Sequence, residues 1–369
     1  MRQTILRTHR ASGQAVVFVG LALVVLVALS GLAVDGSNAF NQRRNAVNGA
    51  DAAAFAGTRT LLENRKAGTG DSADVYAAVQ QYLDEHNLNE GVGLQWSAYY
   101  VNKQATRLGS GAQVQNSGSA VPNDAVGVEV ELSYTFETFF MRVLGRADLT
   151  VDAISTAIYG PVAAITGEDL IPLTVAQHAA EGSVNEDEIC IFGEEPPLDP
   201  LTGLPQEDAC AQHASGAFKV QPGSFGQVSF DPDGSNMTGS NINPVCNYSS
   251  AQDSMRYWWC NGSQYEIGIG DELPATPGMV SSQLDDEIEW RRLNRPEGVV
   301  PVYGQVQGSG NNTEYKIVGF MAVRLVSEQV TGNNHERYVI AERIDYMTTP
   351  GSLSWGSVDG GVYAINLVK

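Results

Sequence analysis

Cys190, Cys210, Cys246 and Cys260 are the residues of this 369-residue chain with the most chemistry available to them. Their separations of 20, 36 and 14 residues fit no zinc-ligand pattern. Sequential pairing, Cys190–Cys210 and Cys246–Cys260, closes the loops at least entropic cost, with buried free thiols as the alternative. His9, His86, His178, His213 and His335 show no metal-ligand spacing with one another or with a neighbouring Glu. There is no nucleophile elbow, phosphate-cradling Gly loop or metalloprotease helix, so no catalytic, cofactor-binding or metal residue is assigned and no enzyme is expected. Residues 147–218 hold 13 Asp and Glu and no Lys or Arg. Clustered carboxylates can bind calcium, but this spacing fits no known loop. Asp231-Pro-Asp233-Gly-Ser235-Asn236 opens like an EF-hand loop, yet Asn236 and Ile242 stand where the Gly and the bidentate Glu are needed, which leaves a turn. Tyr257, Trp258 and Trp259 beside Cys260 read either as a sugar or partner platform or as packing around a disulfide.

The element that must position all of this is at the start. Ala15 to Val34 is 20 residues without a charge, and Ser30 is its only hydroxyl. At about 1.5 Å of rise per residue, a helix of that length crosses the roughly 30 Å hydrocarbon core of a bilayer. Arg2, Arg7 and Arg10 precede it, and Arg43 and Arg44 follow at a distance, which favours a cytoplasmic N-terminus. The chain carries 42 acidic residues against 22 basic ones, a net charge of −20 that argues against nucleic acid as a partner. A signal peptide cut before Gly31 is the rival reading, but the apolar run continues past that point.

Beyond Val34 the pattern stays helical. Phe40, Val47, Ala50, Ala54 and Leu61 fall on one face, weakened by Gly49 and Gly57. A second helix is expected from Asp71 or Ser72 to about His86, then strands at Leu94–Val101, around Val126–Leu132 and at Asp148–Tyr159. Phe136, Phe139, Phe140 and Met141 read as a core plug or as an exposed partner surface, with burial the commoner fate of such residues. The expected architecture is α+β. A single transmembrane helix over 15–34 continues into an extracytoplasmic α+β module over 35–160. An acidic, Pro-containing linker or insertion over 161–215 leads to a β-rich domain over 216–369. That last domain is expected to contain one helix, Met279–Asn294, with Arg291 and Arg292 at its C-terminal dipole. Its expected strands include Val220–Phe230, Val299–Gln307, Tyr315–Glu328, Arg337–Met347 and Val362–Val368.

Gly13-Gln14, the apolar span, Val34-Asp35, Arg43-Arg44 and Asn48-Gly49-Ala50-Asp51-Ala52-Ala53-Ala54 occur in an order that resembles the N-terminal segment of TadE/TadG-like proteins of Flp (tight adherence) pilus assembly. Thr138–Gly145 with Val151–Ala157 resembles the end of the same extracytoplasmic module. Gly268–Asp271, Thr276–Gly278 and Val299–Val302 with Val318–Phe320 are similar to TadG-like C-terminal regions. Two departures stand out. Phe18 occupies the position of the Glu that pseudopilins present to the prepilin peptidase, which argues against that processing. Ala39 breaks the Asp-x-Ser-x-Ser order begun by Asp35 and Ser37, so no von Willebrand A domain is expected.

The resemblance implies a single-pass envelope protein whose partners are the lipid bilayer and pilus or secretion-machinery proteins, with homo-oligomerisation open. A tethered adhesion or carbohydrate-binding module using Tyr257–Trp259 is the alternative, and an envelope hydrolase is a third.

Overall fold

The computed structural model describes residues 12–86, 88, 93–109, 112–182, 188–193, 224–231, 246, 255–277, 284–308, 312–329, 337–348 and 352–368. The chain divides into two compact units, one of residues 1–158 with 367–369 and one of residues 159–366.

The first unit is built on α1 (Ser12–Ala67), a single helix of 56 residues, about 84 Å long at 1.5 Å per residue. Its N-terminal half turns Val16 to Val34 outward almost without cover, and its C-terminal half buries a stripe of small residues. The buried stripe runs through Ala46, Ala50, Ala53, Ala54 and Leu61. Phe40 and Val47, expected on that stripe, are exposed; the helix rotates them off the packed face.

The glycines that weakened the helical pattern have a packing reason. A Cβ on Gly57 would lie 2.8 Å from Val79 Cγ2, and one on Gly49 would lie 2.5 Å from Leu88 Cδ1. The loss of helix propensity at each, roughly 1 kcal/mol against Ala, is offset by close approach of the next element. α1 stops where Arg65 and Lys66 meet its C-terminal dipole and Gly68 turns left-handed at φ +62°.

α2 (Ser72–Glu85) begins with a capping box in which the Asp71 side chain takes the Ala73 N–H and Asp74 takes the Asp71 N–H. It buries Val75, Val79 and Leu83. Under the helices lie β1 (Leu94–Val101), β2 (Gly127–Glu137) and β3 (Asp148–Pro161). β2 pairs antiparallel with both β1 and β3, and the last residues of β3 pass into the second unit. Thr58 ties α1 to the sheet: its buried Oγ1 accepts the Val128 N–H at 3.0 Å and donates to the Ala157 carbonyl at 3.1 Å. Glu129, 4% exposed, is held by Arg107 and by Thr156 Oγ1 at 2.9 Å.

The second unit begins at Tyr159, so it takes in the segment expected to be a linker or insertion. Among residues 161–215, β4 (Ala164–Gly167), β5 (Val175–Ala176), α3 (Gln177–Gly182) and β6 (Glu188–Gly193) are regular structure. Leu170, Ile171, Leu173, Val175, Ile189 and Ile191 are buried there, so apolar content outweighs the lack of basic residues. β7 (Ser224–Val228), α4 (Met255–Asn261), β8 (Ser263–Gly268), β9 (Glu272–Pro277) and α5 (Asp285–Asn294) follow. Next come β10 (Glu297–Gln307), β11 (Glu314–Gln329), β12 (Tyr338–Arg343), β13 (Tyr346–Met347), β14 (Val358–Gly360) and β15 (Val362–Leu367).

The main sheet runs β5-β10-β11-β12-β6, with β9 and β14 also on β11. β4 pairs with β8. α4 is a helix where the sequence suggested only α5, and it carries Trp258, Trp259 and Cys260 into the core.

Cys246 and Cys260 form a disulfide, as expected from their spacing. Cys190 is disulfide-bonded, while Cys210 lies outside the described residues. The acidic residues 194–215 and the Asp233–Asn236 turn also lie outside them. Replacing Cys246 and Cys260 together by Ser is expected to lower stability by about 3 kcal/mol, the chain-entropy value for a loop of this length. Thermal unfolding of the oxidised wild type beside the double variant measures it.

Candidate functional site

α1 offers one acidic residue at the end of its apolar half. Asp35 is 1% exposed, although it directly follows the span expected at Ala15–Val34. A buried carboxylate needs donors, and the β2–β3 connection supplies them. The Phe139 N–H donates to Oδ1 at 2.8 Å. The Phe140 and Met141 N–H groups donate to Oδ2 at 2.9 and 2.6 Å.

Those amides lead into a short 3₁₀ turn, Met141–Leu144, whose first N–H groups have no partner within the turn. The base of the connection is closed by Thr138. Its N–H donates to the Ala147 carbonyl at 2.8 Å, and its hydroxyl donates to the Arg146 carbonyl at 2.6 Å. Gly145 ends the turn at φ +86°, a conformation that a side chain would strain.

Loss of solvent raises the Asp35 pKa, but the three N–H donors together outweigh that and hold it below the ordinary carboxylate value. A lowered pKa means the contact is at full strength above the unfolded carboxylate value and is lost only as pH falls through the folded one.

The rest of the tip is apolar. Phe140 lies on Gly31 so closely that a Cβ there would meet the Phe140 ring at 2.6 Å. A crevice of about 280 Å³ separates the tip from the helix. Val24, Val27, Ala28 and Leu32 form one wall, and Phe140, Met141, Val143 and Leu144 form the other. Val143 is 86% exposed, Leu144 78% and Phe139 67%. Of the aromatics expected either in the core or on a surface, Phe136 alone is buried, and Phe139, Phe140 and Met141 are at the tip.

Asp35 was readable as the lone acid in residues 1–44, next to a 20-residue apolar run. Its partners, over 100 positions away, were not. Replacing Asp35 with Ala strands three amides and is expected to speed hydrogen exchange at Phe139, Phe140 and Met141 by roughly tenfold or more, leaving β2 protected. Residue-resolved exchange measures both.

A second concavity lies on the sheet face, an open groove of about 430 Å³ whose lining includes Gln95, Ser97, Glu131, Ser133 and Asp152. Glu131 is paired with Arg107, which also stacks 4.1 Å over the Tyr99 ring.

The aromatic platform expected at Tyr257–Trp259 needs correction. Trp258 and Trp259 are 0% exposed, because α4 turns both indoles into the core of the second unit, and Tyr257 packs against the same core. Trp258 lies 5.6 Å from Phe230, ring centre to ring centre. Arg291, expected at the C-terminal dipole of its helix, is in the last turn of α5 and is 0% exposed.

Residues 13–65 match the family model described as putative Flp pilus-assembly TadE/G-like. The chain carries a TadE/G-like domain at its N-terminus. The match is nearly coextensive with α1, so it holds both Gly31 and Asp35 but not the hairpin tip they receive. No curated protein and no solved structure matches the chain. Among the described residues the TadE/G-like helix alone is long and apolar enough to cross a membrane. This fits a single-pass anchor, and the family supports a role in pilus assembly.

Proposed function

We propose that this protein is a membrane-anchored, non-enzymatic component of Flp-type pilus assembly or the related envelope secretion machinery. Residues 15–34 are the retained span, the N-terminus is cytoplasmic, and both units lie outside the cytoplasm, with pilus or secretion proteins as partners. One observation carries the reading: the TadE/G-like match covers a helix whose surface from Val16 to Val34 is apolar and almost wholly uncovered. Such a surface is costly in water and favourable in hydrocarbon, at about 25 cal/mol per Å². The Cys246–Cys260 bridge supports placement on the oxidising side, and the Arg residues before the span support the orientation.

Affinity capture of the full chain from native membranes in mild detergent tests the role. Enrichment of pilus or secretion-machinery subunits over an unrelated single-pass protein is the expected result. Recovery of the chain with neither would count against it.

A further inference from the structure

We propose that the β2–β3 tip, Phe139–Leu144, is a second membrane contact, inserted among the acyl chains of the outer leaflet beside α1. This rests on the anchor reading above and adds a site to it.

The tip lies beside the apolar span. The wall of α1 that faces the tip is Val24, Val27, Ala28 and Leu32. Val24 and Ala28 lie ten and six residues before Val34, so roughly 9–15 Å along the axis inside the apolar span. The tip meets α1 where Phe140 packs on Gly31, three residues or roughly 5 Å inside the span, and the crevice faces those deeper residues. Gly31 belongs to the span, so lipid is the occupant this contact favours for the exposed Val143 and Leu144 beside it.

Backbone groups entering hydrocarbon must be bonded, since each bare one costs several kcal/mol. Here Asp35 takes three amides, Gly145 N–H donates to Arg142 O, Arg146 N–H donates to Met141 O, and Thr138 closes the base. The apolar side chains left outward at the tip are Phe139, Val143 and Leu144, an uncovered patch on an otherwise acidic chain. Arg142 lies inside the turn and reaches back to pair with Glu137 at 2.7 Å, and Arg146 follows the turn, where long cationic side chains can reach head groups. With helix and tip both embedded, the first unit is held at two points and cannot spin about α1.

The test places an environment-sensitive fluorophore on single cysteines of the full chain: Val143→Cys, Val25→Cys in the span and Asn116→Cys on an exposed loop. Cys190, Cys246 and Cys260 are bridged and do not compete for the label. The protein is reconstituted in phosphatidylcholine–phosphatidylglycerol vesicles containing nitroxide-labelled lipid. Loss of at least half the emission at both Val25 and Val143, with none at Asn116, is expected. Quenching at Val25 but not Val143 overturns this proposal and leaves the anchor standing. Quenching at neither overturns the anchor and, with it, the tip. An unquenched Val143 label that cross-links between copies instead assigns the tip to a second protein molecule and also overturns it.

Discussion

Replacing Arg291 with Met is expected to destabilise the second unit by about 3–5 kcal/mol, because three backbone carbonyls lose their donor at roughly 1–3 kcal/mol each. The guanidinium is fully buried and joins segments far apart in sequence. Nη1 donates to the Glu168 carbonyl at 2.9 Å and to the Trp259 carbonyl at 3.3 Å. Nη2 donates to the Asp169 carbonyl at 3.2 Å. Burial, then the neighbouring Arg295, lower its pKa to about 10, which still leaves it charged at neutral pH. Met fills the volume but donates nothing, so those carbonyls lose a partner in a site closed to water. Lys keeps the charge but not the planar fork and should recover only part of the loss. Urea unfolding followed by tryptophan fluorescence reads the effect, since Trp258, Trp259, Trp290 and Trp355 all lie in this unit. A midpoint unchanged from wild type would mean the carbonyls find other donors.

Replacing Trp259 or Trp258 with Ala is expected to cost about 3–5 kcal/mol each, as for other large-to-small core changes. Both indoles are removed from water on α4, next to the bridge that pins Cys260 to Cys246. The buried pair of Arg256 with Glu287, at 2.7 Å, fastens the same helix to α5. Loss of stability, seen as a lower unfolding midpoint, is the predicted phenotype. Surface binding lost at full stability would restore the carbohydrate-platform reading that burial removes.

How far the sequence reached depends on the range of the contacts involved. α2, β1 and β3 were legible because their determinants are local: a capping Asp71, aromatic and β-branched runs, and alternating burial. The apolar span was legible because composition alone defines it. The stripe on α1 was only half legible. Its buried face is made of Ala and Gly, whose close packing shows in the partner's atoms and not in their own hydrophobicity. Residues 161–215 read as a linker or insertion because charge was weighed above the Leu, Ile and Val that carry its described strands into the sheet. The Trp pair was misplaced because a short helix, α4, gives too few residues for a period to register, whereas Arg291 was placed in the last turn of α5 and only its burial was not legible. Asp35 is the instructive case. Its identity was visible, but the amides that it receives belong to residues 139–141, and no local pattern joins them.

The central claim is a retained span with the bulk of the chain outside the cytoplasm. It is tested most directly on intact spheroplasts with a membrane-impermeant amine reagent and with the mass of the mature chain. Lys66 and Lys103 are both exposed in the first unit. The account predicts that both are labelled without lysis and that the mature chain still contains residues 15–34. Lysines labelled only after lysis, or a mature chain that begins at Gly31, would contradict it.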